Sequence, residues 1–190
     1  MSDINKYDKE LIGKISNTKN WPGITNVPFI LHLLQIANKQ IKNKTVEGVL
    51  SATLIYQQVM EELILNLLKV SHLYVQAEIW PSRINFPINK KMMFGQLLDA
   101  HKLSIDFDMK QELIKEAKEF NELRVKFVHK LVHTKGPSEI IDSADDVYTK
   151  FQTILDLFYQ AREHLDRKLH DLYSRVDFND LIDESENLNN

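Results

Sequence analysis

The sequence predicts an all-α protein, an antiparallel bundle of about five to six helices. Three observations predict it. Only 5 Gly and 5 Pro occur in 190 residues, too few for the many turns of an all-β chain. Apolar residues recur at three- and four-residue steps through most of the chain, the period of an amphipathic helix. The clearest breakers, Trp21-Pro22-Gly23, Trp80-Pro81 and Gly136-Pro137, fall between these periodic stretches.

Residues 3–16 predict a short first helix, capped by Ser2 or Asp3. The stretch SNTKNWPGITNVP, 16–28, reads as a loop on its Asn, Pro and Gly content. The helical pattern resumes over 28–42, with Phe29, Leu33, Ile36 and Gln40 aligned on one side. The longest helix is predicted from Thr45 to Ile79, with Thr45 as its N-cap. Val49, Tyr56, Val59, Met60, Leu63, Leu67, Val70 and Tyr74 form one apolar stripe along it. Leu50, Leu54, Leu65 and Leu68 form a second stripe beside the first. A helix apolar on two sides belongs at the centre of a bundle.

Pro81 ends this helix and PSRINFPINKK, 81–91, links it to a short helix over 91–103. A strong helix follows over 107–134, with Leu113, Ala117, Phe120, Phe127 and Leu131 inward. Gly136-Pro137 breaks it, and Ser143 with Asp146 three residues on predicts the next N-cap. The last helix, 144–176, carries Val147, Phe151, Ile154, Phe158, Ala161, Leu165 and Leu172. The organisation expected is an N-terminal helix and loop (1–28), a bundle (29–178) and an acidic, frayed tail (179–190). The tryptophans at 21 and 80 are expected to cover the ends of the bundle. Leu73, Ile79 and Phe86 fall outward and are candidates for a subunit interface.

Hydrophobic residues make up 43% and charged residues 27%, the balance of a folded globular chain. The net charge of −3 excludes a strongly basic protein but leaves room for a local basic face. Cysteine is absent, so no disulfide framework or thiolate metal site is available. The N-terminus has charges throughout, and no apolar run approaches the ~18 residues of a membrane span. A cytoplasmic location with no membrane partner is the expectation. Phosphate-binding Gly-rich loops, HExxH and GxSxG are all missing.

One segment stands apart: NELRVKFVHKLVH, 121–133. Arg124 and His129 are separated by four residues near the end of a long amphipathic helix. With five Arg and seven His in the chain, that spacing arises by chance about 0.2 times. Its position just before Gly136-Pro137 is therefore what singles it out. An arginine supplies a fixed positive fork for phosphate oxygens. A histidine exchanges protons near neutral pH. Such a pair can hold an anionic group and move a proton beside it.

The layout over residues 45–175 resembles the HEPN domains. These are small helical bundles with an Arg-x(4–6)-His motif near the end of a late helix. The resemblance implies a metal-independent endoribonuclease of toxin or phage-defence type, acting as a homodimer on RNA, with a cognate antitoxin or regulatory protein as partner. It carries catalytic roles onto Arg124 and His129. The family often has Asn straight after the Arg, where this chain has Val125. Glu61, Lys126 and His133 are the supporting positions. No metal is expected, since His129 and His133 lack a nearby carboxylate to complete a ligand set, and no cofactor is expected.

Five residues of helix turn through about 500°, which leaves Arg124 and His129 about 140° apart. A shared phosphate therefore requires a two-fold dimer or a bent helix end. A second reading makes the protein a non-catalytic interaction or regulatory module, with Arg124 held in a structural ion pair by Glu61. Charge is segregated: residues 110–135 hold six Lys and one Arg against four Glu, while 139–190 hold five basic and thirteen acidic residues. That asymmetry predicts a basic face for an anionic partner. Its plainer form is a solvated helix laced with i,i+4 pairs such as Glu122–Lys126.

Overall fold

The structure, a computed structural model, describes residues 6–80, 82–86, 92–129 and 136–175. Within these residues the only regular secondary structure is helical, without a strand. The helices are α1 (Lys6–Ile15), α2 (Val27–Lys42), α3 (Val46–Glu78), α4 (Phe94–Lys102), α5 (Lys110–His129), α6 (Pro137–Asp142) and α7 (Ala144–Arg175). A single 3-10 turn, Thr18–Asn20, interrupts the first loop. The all-α expectation holds, with one short helix more than the upper count. The expected caps at Ser2 or Asp3 and the acidic tail lie outside the described residues.

α3 is the axis of the molecule. Its 33 residues extend about 50 Å, and it contacts all six other helices. The Thr45 side chain accepts from Gly48 N–H at 3.1 Å and starts it, as the sequence predicted. The first predicted stripe is buried from Val49 through Tyr56, Met60 and Leu67 to Val70, and only partly buried at its last residue, Tyr74. The second stripe divides. Leu68 is fully buried, Leu50 and Leu65 are partly buried, and Leu54 is exposed.

Cross-contacts set the helix directions. Tyr56 donates to Asn38 Oδ1, and Thr25 donates to Glu62, so α2 returns antiparallel to α3. The hairpin is tight. A Cβ on Gly48 would lie 2.5 Å from the carbonyl oxygen of Gln40, so no other residue fits that crossing unchanged. α5 and α7 are also antiparallel, tied by Lys150 to Glu116 at one end and His164 to Asp108 at the other. α3 and α7 run the same way: Tyr56 stacks on Phe151, Asn66 meets Arg162, and Lys168 sits over Tyr74.

Three sequence expectations are corrected in whole or in part. The aligned set Phe29, Leu33, Ile36 and Gln40 is not the core-facing one. Ile30, Leu34, Ala37 and Ile41 turn toward α3, which leaves Phe29 and Ile36 exposed. Both sets repeat at three and four residues, so period alone could not choose between them. Ser143 does stand directly before α7, and its carbonyl accepts from Val147 N–H, but its hydroxyl donates back to Ile140 O at the end of α6, a helix that starts at Pro137 straight after the predicted break. Pro serves as a helix N1 residue as readily as a breaker. Finally, Leu73 is buried and Phe86 stacks on His72 at 3.7 Å, so only Ile79 of the three proposed interface residues stays exposed.

Buried polar groups fasten the ends of the bundle. Trp21 is buried and donates from Nε1 to Ile15 O, closing one end as expected. Arg162 donates from one terminal nitrogen to Asn66 Oδ1 and to Pro22 O, while its Nε faces both Asp166 oxygens at 2.9 Å. Asn66, fully buried, donates to the same Pro22 carbonyl. This knot joins the first loop to α3 and α7. The Gln76 amide holds the 82–86 segment from both sides, donating to Ser82 O and accepting from Ile84 N–H.

Candidate functional site

The site begins with the short helix α4. Phe94, Leu97, Leu98 and His101, at i, i+3, i+4 and i+7, are buried against α3. His101 Nε2 lies 2.7 Å from Ile64 O, so this nitrogen donates and anchors α4 to the axis. Gln96 and Asp99 are left on the other side. The Gln96 side chain turns back to accept from Met93 N–H at 2.9 Å, which ties down the entry to α4.

α5 lies beside α4 with Leu113, Ala117, Phe120 and Phe127 buried. Arg124 falls within that stripe, between Phe120 and Phe127. It is not enclosed in the core. A cleft of roughly 660 Å³ opens there, lined by Glu61 of α3, Met92, Met93, Gln96 and Asp99 around α4, and Asn121 and Arg124 of α5. Glu61 and Arg124 thus stand on one cleft, the two positions that the sequence linked. Glu61 accepts from Gln57 Nε2 at 3.1 Å, which fixes its side chain from within α3.

Further along the cleft Asp99 pairs with Lys102. That contact holds the Asp99 carboxyl below the usual carboxylate range. The Lys118 ammonium lies next to that of Lys102, and this like-charge contact lowers its pKa.

α5 is regular α-helix through His129, its last described residue. Along an ideal helix the two motif positions stand about 140° apart. His133 lies outside the described residues. Lys126 Nζ sits 2.6 Å from Glu139 of α6 and also approaches the Phe127 ring. Lys115 pairs with Glu119, while Lys150 of α7 spans Glu116 and Glu119. Lys110 is buried, its ammonium donating to Ser104 O, Ile105 O and Asp106. Much of the predicted basic surface of α5 is thus matched by acidic or carbonyl oxygen.

Asn121, Gln96 and Asp99 were not singled out in the sequence. Asn121 lies one turn before Arg124, a spacing that puts the two on one side of the helix. Gln96 and Asp99 carry no such signal, because only the fold brings α4 alongside. A second recess, about 280 Å³, lies between α1, α3 and the 82–86 segment. Leu11, Leu73, Ile84 and Phe86 give it a largely apolar lining, and no motif residue reaches it. Among the described residues no three His, Asp or Glu side chains gather to hold a metal ion. No described helix is long and apolar enough to cross a membrane. No family model, curated protein or solved structure matches the chain.

Proposed function

We propose that the chain is an HEPN-like, metal-independent endoribonuclease of toxin or phage-defence type that acts as a homodimer. The observation supporting it most is the placement of Arg124. It lines a polar cleft of a size that a phosphate can enter, together with Glu61, Gln96, Asp99 and Asn121. In the reaction the RNA 2′-oxygen bonds to phosphorus, the P–O5′ bond breaks, and the 5′-oxygen takes up a proton. The products are a 2′,3′-cyclic phosphate and a 5′-hydroxyl. Arg124 stabilises the charge on the phosphate oxygens. His129 of the partner subunit moves the proton, since one straight helix does not aim both groups at one phosphorus.

The test is incubation of the purified dimer with end-labelled single-stranded RNA. Cleavage to cyclic-phosphate ends is expected, with Arg124→Ala and His129→Ala each slower by about a hundredfold or more. Intact RNA, together with variants as toxic to cells as the parent, would overturn the proposal.

The ion pairs along α5 favour a second reading, a non-catalytic interaction or regulatory module. There Arg124 and Glu61 act as a structural pair and the matched charges of α5 and α7 hold the bundle together. That reading predicts a loss of about 3 kcal/mol for Arg124→Ala and no effect for His129→Ala in any assay.

A further inference from the structure

The Arg124 cleft is chemically mixed. Met92 and Met93 form an apolar lip, and Met93 is 70% exposed although it is a large hydrophobic side chain. The same cleft is lined by Glu61, Gln96, Asp99, Asn121 and Arg124. A cleft lined by both apolar and charged or amide side chains suits a ligand that is flat and apolar on its faces but polar along its edge. Nucleobases have that character, and a polarisable thioether packs well on an aromatic face.

Size narrows the choice. A cleft of roughly 660 Å³ is large enough to seat one nucleotide. A base stacked within a duplex cannot enter it. Proteins that read RNA sequence do so on unpaired bases turned out toward them.

The polar side chains then select among bases. A carboxylate only accepts hydrogen bonds. Glu61 is steadied by Gln57, yet each of its oxygens has lone pairs to spare. Guanine presents N1–H and N2–H2 side by side, a match for two carboxylate oxygens. Adenine and cytosine place a ring-nitrogen acceptor beside their amine, and uracil flanks its one N–H with carbonyls. Each of those three sets an acceptor against Glu61.

Resting on the ribonuclease reading, we infer that this cleft is a subsite for one unpaired guanine nucleotide of the RNA, with Glu61 on the Watson–Crick edge, Met92 and Met93 over the base, and Arg124 on its phosphate. Asn121, one turn from Arg124, bridges base and backbone. The enzyme therefore cuts beside single-stranded guanines.

Two measurements test this. The first maps cleavage of an unstructured, mixed-sequence RNA and of the same RNA with inosine replacing guanine, which removes the N2 amine. Cuts next to guanine are expected, slowed about tenfold to a hundredfold by inosine. Glu61→Gln should abolish the preference for guanine, with an unchanged melting temperature showing that the fold survives. The second is calorimetric titration with 5′-GMP and 5′-AMP. Selective binding of GMP, lost in Glu61→Gln, is expected. Cleavage without base preference, or a preference indifferent to inosine and to Glu61→Gln, would sink the guanine subsite while leaving the ribonuclease standing. Selective GMP binding with no cleavage of any RNA would leave the subsite and sink the ribonuclease. Equal or absent binding of GMP and AMP overturns the subsite whichever way the cleavage assay falls.

Discussion

Acid should unfold this protein partly through one histidine. His101 is 2% exposed and donates from Nε2 to Ile64 O. Burial lowers its pKa from 6.5 to about 4, with the nearby Lys110 ammonium acting in the same direction. The unfolded chain therefore binds a proton below pH 6.5 that the folded chain refuses until about pH 4. Stability supplied by neutral His101 is complete above pH 6.5 and is lost as pH falls toward 4. The slope reaches about 1.4 kcal/mol per pH unit, and the total is about 3 kcal/mol. Urea midpoints measured from pH 8 to pH 4 give the test, comparing the parent with His101→Gln. The variant starts lower at pH 8, because it repacks the α4 anchor, but its curve should fall less steeply below pH 6.5. Parallel curves for the two proteins across that window would refute the assignment. His72, stacked on Phe86 and lowered to about 4 mainly by burial, adds acid sensitivity of the same sign.

Other substitutions probe other parts of the fold. Gly48→Ala should destabilise by about 1–3 kcal/mol in chemical denaturation, because the new methyl meets Gln40 O; a gain, the usual result for Gly→Ala inside a helix, would show that the α2–α3 crossing relaxes freely. Arg162→Ala should cost about 2–3 kcal/mol, since it removes a donor from Asn66 Oδ1 and Pro22 O together. A change within 0.5 kcal/mol would deny the knot its role. Phe29→Ser and Ile36→Ser should leave the melting temperature of the monomer within a degree or two, both being exposed; a large drop would show that α2 packs with its other side inward.

The fold was legible wherever one period and one breaker agreed. α3 declared itself through Val49, Tyr56, Met60 and Leu67, and Thr45 gave its start. Legibility failed where two patterns coexisted. On α2 both Phe29–Leu33–Ile36 and Ile30–Leu34–Ala37–Ile41 keep helical spacing, and only the contact with α3 decides between them. Pro137 read as a stop because Gly precedes it, whereas it opens α6. In the site, Arg124 was found from its place near a helix end, and Glu61 from its place on the second apolar stripe. Gln96, Asp99, Met92 and Met93 were invisible, because they reach the cleft through the docking of His101 on Ile64 O, a contact across 37 residues of sequence. The ionic partners of Lys126 and Lys150 were hidden for the same reason. Sequence counts charges on a helix but not those on the helix that comes to lie beside it.

α3 is a wall shared by every other described helix, so none of these helices forms a unit of its own. Amide protons at its centre should exchange with solvent only when the whole chain opens, at a rate reporting the global stability. The same sharing bears on the cleft. Glu61 stands five residues before Asn66 on one unbroken helix, so loosening the Arg162 knot at the far side of the axis should be felt in the affinity of whatever Glu61 holds.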